Sequence, residues 1–83
     1  TSIKYGLPTD SHVKLEIFDN NGRKVTELVN NNQDPGTYQV FWNGANDLGQ
    51  SVASGVYHYR IQVIDAQDQG NVRVEVNKML LIK

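Results

Sequence analysis

Two histidines, three asparagine and aspartate side chains in one stretch, a handful of serines and a cluster of aromatics are the groups in this chain with chemistry to offer. His12 and His58 are the only histidines. Each alternates with apolar neighbours, His12 before Val13 and His58 between Tyr57 and Tyr59, so both fall on the outward phase of their segments. A general base or metal site needs partners at convergent positions, and none can be argued for either, which leaves solvated surface imidazoles. Asn43, Asn46 and Asp47, with Asp34, offer oxygen ligands for Ca²⁺. A dedicated calcium loop supplies several carboxylates at fixed spacing, whereas Asn46-Asp47-Leu48-Gly49 has one, and Asn, Asp and Gly are the standard turn formers. Ser11, Ser51 and Ser54 sit in turns without a nucleophile signature. No Gly-rich phosphate loop and no Asn-X-Ser/Thr acceptor occurs. The reading is of no catalytic residue, no metal, no cofactor and no enzyme.

The aromatic cluster has a second interpretation. Phe41, Trp42 and Tyr57, with Tyr59, could present a flat platform to a sugar ring, as a carbohydrate-binding module appended to a hydrolase does. Trp42 is in phase with Tyr38 and Val40, and Tyr57 and Tyr59 with Ile61 and Val63, so core packing is the expected role of these rings. Phe41 and Val56 lie on the opposite phase and are the better candidates for an exposed apolar spot, though an isolated surface aromatic needs no explanation.

The elements that position these groups are short strands. The stretch Tyr38–Ile61 reads as strand, long turn, strand, with Trp42 as the core anchor. Ahead of it, Thr1–Leu7 places Ile3, Tyr5 and Leu7 on one face and stops at Pro8, as an edge strand does. His12–Phe18 turns Val13, Leu15 and Ile17 inward and His12, Lys14 and Glu16 outward. Asn21-Gly22 predicts a tight hairpin turn into a strand over Arg23–Val29. There Val25 and Leu28 fall out of phase, which predicts a bulge or an early end near Glu27. The run Asn30–Gly36 is too polar to bury and reads as a surface crossover. Asp65–Gly70 is an exposed hairpin loop, and Val72, Val74 and Val76 open the last strand. The phase changes at Asn77-Lys78, after which Met79 and Leu81 alternate against Leu80 and Ile82. Such a double-faced apolar end implies burial on both sides or a sticky edge. Six strands are clear, with a short seventh at Gln50–Ala53.

Composition sets bounds on the partners. The 83 residues make one domain, residues 1–83, too small for a deep cleft beside its core. A net charge of −1, with acids and bases scattered, argues against nucleic acid or an anionic membrane surface as partner. With no cysteine there is no disulfide framework or thiolate metal site. No apolar run approaches the roughly 20 residues of a membrane span. A chain that opens at Thr1, already in strand, reads as a piece cut from a longer protein. The fold these signals define is all-β: an immunoglobulin-like antiparallel β-sandwich of about seven strands, without a disulfide.

The order of motifs adds a family resemblance. Thr1-Ser2-Ile3-Lys4-Tyr5-Gly6-Leu7-Pro8, the hairpin Ile17–Val25, Pro35-Gly36-Thr37-Tyr38 into Phe41-Trp42-Asn43-Gly44, Val52–Tyr57 and Lys78–Lys83 together resemble the immunoglobulin-like module of the flagellar hook-capping family. They equally resemble the C-terminal sorting domains of type IX secretion cargo. The second resemblance implies the C-terminal module of a secreted or outer-surface bacterial protein. Lys78, Met79, Leu80, Leu81, Ile82 and Lys83 would then be the recognition strand, read by the secretion machinery. The first implies a structural spacer or assembly domain. The expected partners are accordingly the secretion machinery or the preceding domain of the parent protein, and the expected state is a monomer.

Overall fold

A computed structural model describes Thr1–Lys83. It contains β1 (Ser2–Leu7), β2 (Ser11–Asp19), β3 (Lys24–Gln33), β4 (Gly36–Phe41), β5 (Gly55–Asp65) and β6 (Val72–Leu81). All pairings are antiparallel. β1 and β4 form a two-stranded sheet, and β3-β2-β5-β6 a four-stranded one. The core lies between them. Ile3, Tyr5 and Leu7 of β1 meet Val13, Leu15 and Ile17 of β2 and Tyr57, Ile61 and Val63 of β5, with Trp42 and Leu81 at one end. The two-residue alternation read from the sequence places Trp42 and these side chains of β1, β2 and β5 inward, whereas it left the face of Leu81 undecided.

Six strands form, not seven. Gln50–Ala53 contributes only the isolated bridge of Ser51 to Ala45, because the Asn46 side chain folds this segment into a loop by accepting from the Leu48 and Gln50 N–H groups.

The turn after β2 is wider than an Asn-Gly hairpin implies. Asp19 N–H donates to Arg23 and Asp19 C=O accepts from Gly22, at 2.9 and 3.0 Å. Gly22 alone has positive φ, at 85°, and Asn21 does not. This is a three-residue loop with its glycine in the left-handed position, and not the two-residue turn that needs both central residues there.

β3 does have its irregularity where the phase broke. Leu15 faces Val29 and Glu16 faces Glu27, skipping Leu28; Ile17 faces Thr26 and Phe18 faces Lys24, skipping Val25. The strand nonetheless runs on to Gln33, correcting the crossover expected from Asn30. An edge strand need not be buried, and its polar side chains find partners: the two ring nitrogens of His12 each lie 2.8 Å from the amide oxygen of Asn32 or Asn30, and Gln33 accepts from the Tyr5 hydroxyl at 2.6 Å.

β6 shows no change of phase. It pairs with β5 in unbroken register from Val72↔Ile64 to Gly55↔Leu81. Even-numbered residues from Val72 to Leu80 face outward throughout. The apparent shift arises because the inward positions change character, from Arg73, Glu75 and Asn77 to Met79 and Leu81. Leu81 belongs to the core and Met79 packs against it, whereas Arg73 and Glu75 lie beside an open cleft of about 260 Å³, lined also by Ile3, Tyr5, Tyr59 and Ile61.

Candidate functional site

Trp42 is 1% exposed and Tyr57 is buried. Their rings meet edge to face at a centroid distance of 5.1 Å, and Trp42 Nε1–H donates to the Ala45 carbonyl at 2.9 Å. Neither offers a face to a sugar. Of the three residues considered for carbohydrate contact only Phe41, 72% exposed, lies at the surface, and it projects from the opposite side of β4. The structure therefore does not bring the three into one platform.

The oxygen cluster is committed to the turns. Asn43 Oδ1 accepts from the Ala45 N–H, Asn46 Oδ1 from two N–H groups, and Asp47 Oδ1 from the Thr26 hydroxyl at 2.8 Å. Asp34 lies in the link between β3 and β4, at the far end of β4 from Asn43. No three His, Asp or Glu side chains are grouped as a metal site would need. His58, paired with Lys78 across β5 and β6, has no carboxylate opposite it in either neighbouring strand.

One charged cluster was not legible. Glu16, expected on the outward face, lies there yet is only 6% exposed. Its carboxylate lies 3.6 Å from Lys24 Nζ and 3.9 Å from Lys14 Nζ and Arg60 Nη1. Only β-strand pairing brings these residues together, since Arg60 is opposite Glu16 in β5. All three cations are partly solvated, so the cluster pins the outer face of the sheet without forming an empty anion site.

The terminal strand divides by face. Leu81 is buried and Met79 half-buried, whereas Leu80 and Ile82 are exposed, Ile82 at 78%. Lys83 N–H donates to Ser54 Oγ and Lys83 Nζ to Ser51 Oγ. The N-terminal residue is tied to the same end of the molecule, where Trp42 N–H donates to the Thr1 carbonyl. Lys78–Lys83 is thus integral to the sandwich, with one apolar side left open. No helix of the structure is long and apolar enough to cross a membrane.

Two antiparallel sheets, a cysteine-free core and a buried tryptophan define an immunoglobulin-like sandwich. The FlgD Ig-like domain family matches residues 1–69, and the chain belongs to that family. Among solved structures it is similar to FlgD from P. aeruginosa, with a TM-score of 0.73 and 21% identity over 96% of this chain. At that identity the likeness is one of fold. The chain spans 58% of the length of that structure. No curated protein matches it. β6 begins beyond the residues that the family match covers, though the structural likeness extends over nearly the whole chain. The family match supports the hook-capping resemblance; neither comparison supports the type IX sorting option.

Proposed function

We propose that this chain is a non-catalytic structural module, which holds or docks other parts of a larger assembly in the manner of a hook-cap domain. Membership of the FlgD Ig-like family carries the reading. The geometry agrees with it: the molecule measures 40 × 21 × 21 Å, its polar turn groups are spent on their own backbone, and both chain ends are tied down near the Trp42–Ala45 turn. Whatever flanks the module leaves from that end and lets the rest project. An exported, bacterial outer-surface setting goes with this proposal.

The sorting reading has one observation in its favour: Leu80 and Ile82 are exposed on a terminal strand that carries Lys78 and Lys83. Substituting Leu80→Ser together with Ile82→Ser in the full-length protein separates the two. Because both side chains are solvent-exposed, the sandwich survives. The structural reading expects unchanged export and localisation. Loss of export by a folded double variant would overturn it in favour of a sorting signal.

A further inference from the structure

β6 is the outer edge of the four-stranded sheet, so one side of its backbone has no strand partner. Exposed edges of this kind are normally blunted by proline, a bulge, short length or charged side chains, inward-pointing ones included; the inward charges of β6, Arg73 and Glu75, are of opposite sign and so repel a second strand only in the registers that set like against like. β6 has ten residues, no proline and an unbroken register, and every residue from Val72 to Lys78 is exposed. Its outer face presents Val72, Val74 and Val76 in succession, 46 to 59% exposed.

We propose that a second copy of this chain occupies this edge, through antiparallel pairing of β6 with itself about a two-fold axis at Val74. A strand paired with itself about residue k sets each position k−n against k+n of the other copy, so the sequence decides which centre is tolerated. Centring on Arg73, Glu75 or Lys78 places like charges opposite one another. Centring on Val76 sets Val74 against Lys78 and leaves Glu75 facing Asn77, and centring on Asn77 sets Val76 against Lys78 and Glu75 against Met79. Centring on Val74 sets Arg73 against Glu75 twice by symmetry, while Val72 meets Val76 and Val74 meets itself on the other face. Opposite charges and β-branched pairs are the cross-strand combinations that stabilise a sheet. Arg73 is already turned toward the inner face, where its Nη2 donates to the Gly6 carbonyl at 3.2 Å. Its remaining N–H groups are free for the carboxylate of the second copy. The pairing joins two four-stranded sheets into one continuous sheet and removes the open β6 edge of both. It replaces the monomer expected from sequence by a two-fold dimer.

The test is sedimentation equilibrium of the chain and of two charge reversals, R73E and E75R, with circular dichroism to verify that each is folded. The chain is expected to show a monomer–dimer equilibrium, and each reversal to weaken association by about tenfold or more. An equimolar mixture of the two variants is expected to restore the dimer, because each reversed charge then meets its opposite. Restoration on mixing cannot come from a folding defect. Register is read separately by oxidation, since the chain has no cysteine of its own. V74C is expected to give a disulfide-linked dimer, whereas V72C and V76C link only when mixed, because directly opposed residues lie within disulfide reach. A chain that stays monomeric at about 1 mM, reversals without effect, or V72C linking to itself as readily as V74C would each overturn the proposal.

Discussion

The indole N–H of Trp42 donates to the carbonyl oxygen of Ala45, three residues along the chain, at 2.9 Å. The ring therefore does two things at once. It fills the end of the core against Tyr57, and it closes the turn that carries the chain away from β4. A buried indole whose single polar atom is satisfied locally costs nothing for its burial.

Trp42→Ala is expected to destabilise the domain by about 3–5 kcal/mol, the usual cost of deleting a large buried ring. Trp42→Phe, which keeps an aromatic ring but loses the hydrogen bond and part of the buried volume, should cost about 1–3 kcal/mol. Urea unfolding followed by circular dichroism measures both. In the native protein, acrylamide should quench Trp42 fluorescence far less than in the unfolded chain.

Asp19 and Asp65 make stability depend on acid pH. The Arg23 backbone N–H, 2.9 Å from Asp19 Oδ1, holds the Asp19 carboxyl below the usual carboxylate range. The Gln67 backbone N–H does the same for Asp65, helped by the Thr9 hydroxyl. A group whose pKa is lower folded than unfolded stabilises the fold above its unfolded value, and that contribution disappears as pH falls through the folded value. The melting temperature should therefore fall below about pH 4. D19N combined with D65N, which removes both charges, should flatten that decline when melting is measured across the acid range.

Glu16 is nearly buried while its three cationic neighbours are 39–42% exposed. Removing its charge leaves those cations water-accessible, so the loss is smaller than for a fully buried pair. Glu16→Gln should cost about 1 kcal/mol at low ionic strength and less near 1 M salt. Denaturant titrations at the two salt concentrations check this.

Two glycines separate backbone strain from crowding. Gly22 has φ of 85° and open space where a Cβ would sit. Gly44 has φ of 76°, and an added Cβ would lie 3.3 Å from Leu81 Cδ2. Leu81 belongs to the core and has little room to yield. Gly22→Ala should cost about 1 kcal/mol from strain alone, and Gly44→Ala about 2 kcal/mol or more, because overpacking is added. Thermal melts of the pair give the order.

These residues also mark how far the sequence could be read. Alternation exposed the inward faces of β1, β2 and β5, because each has one covered side and one wet side. The misplaced phase of Val25 and Leu28 pointed to one irregularity near Glu27, where the structure has two, one skipping each of those residues. Asn30–Gln33 was not legible as strand, since an edge strand can be polar when its neighbours satisfy it. The open cleft beside β6 hid that strand's even register by leaving charged residues on its inward side. The Glu16 cluster depends on which strands become neighbours, and the alternation within a single strand carries no sign of that.

The most direct test of a structural role is in-frame removal of residues 1–83 from the longer protein in which the proposal places them. The remainder should fold and keep any activity it has when assayed alone, yet fail to enter its assembly, with entry restored by the module carrying intact surfaces. A truncated protein that assembles as well as the intact one, or one that loses a chemical step which the isolated module performs, would contradict the account.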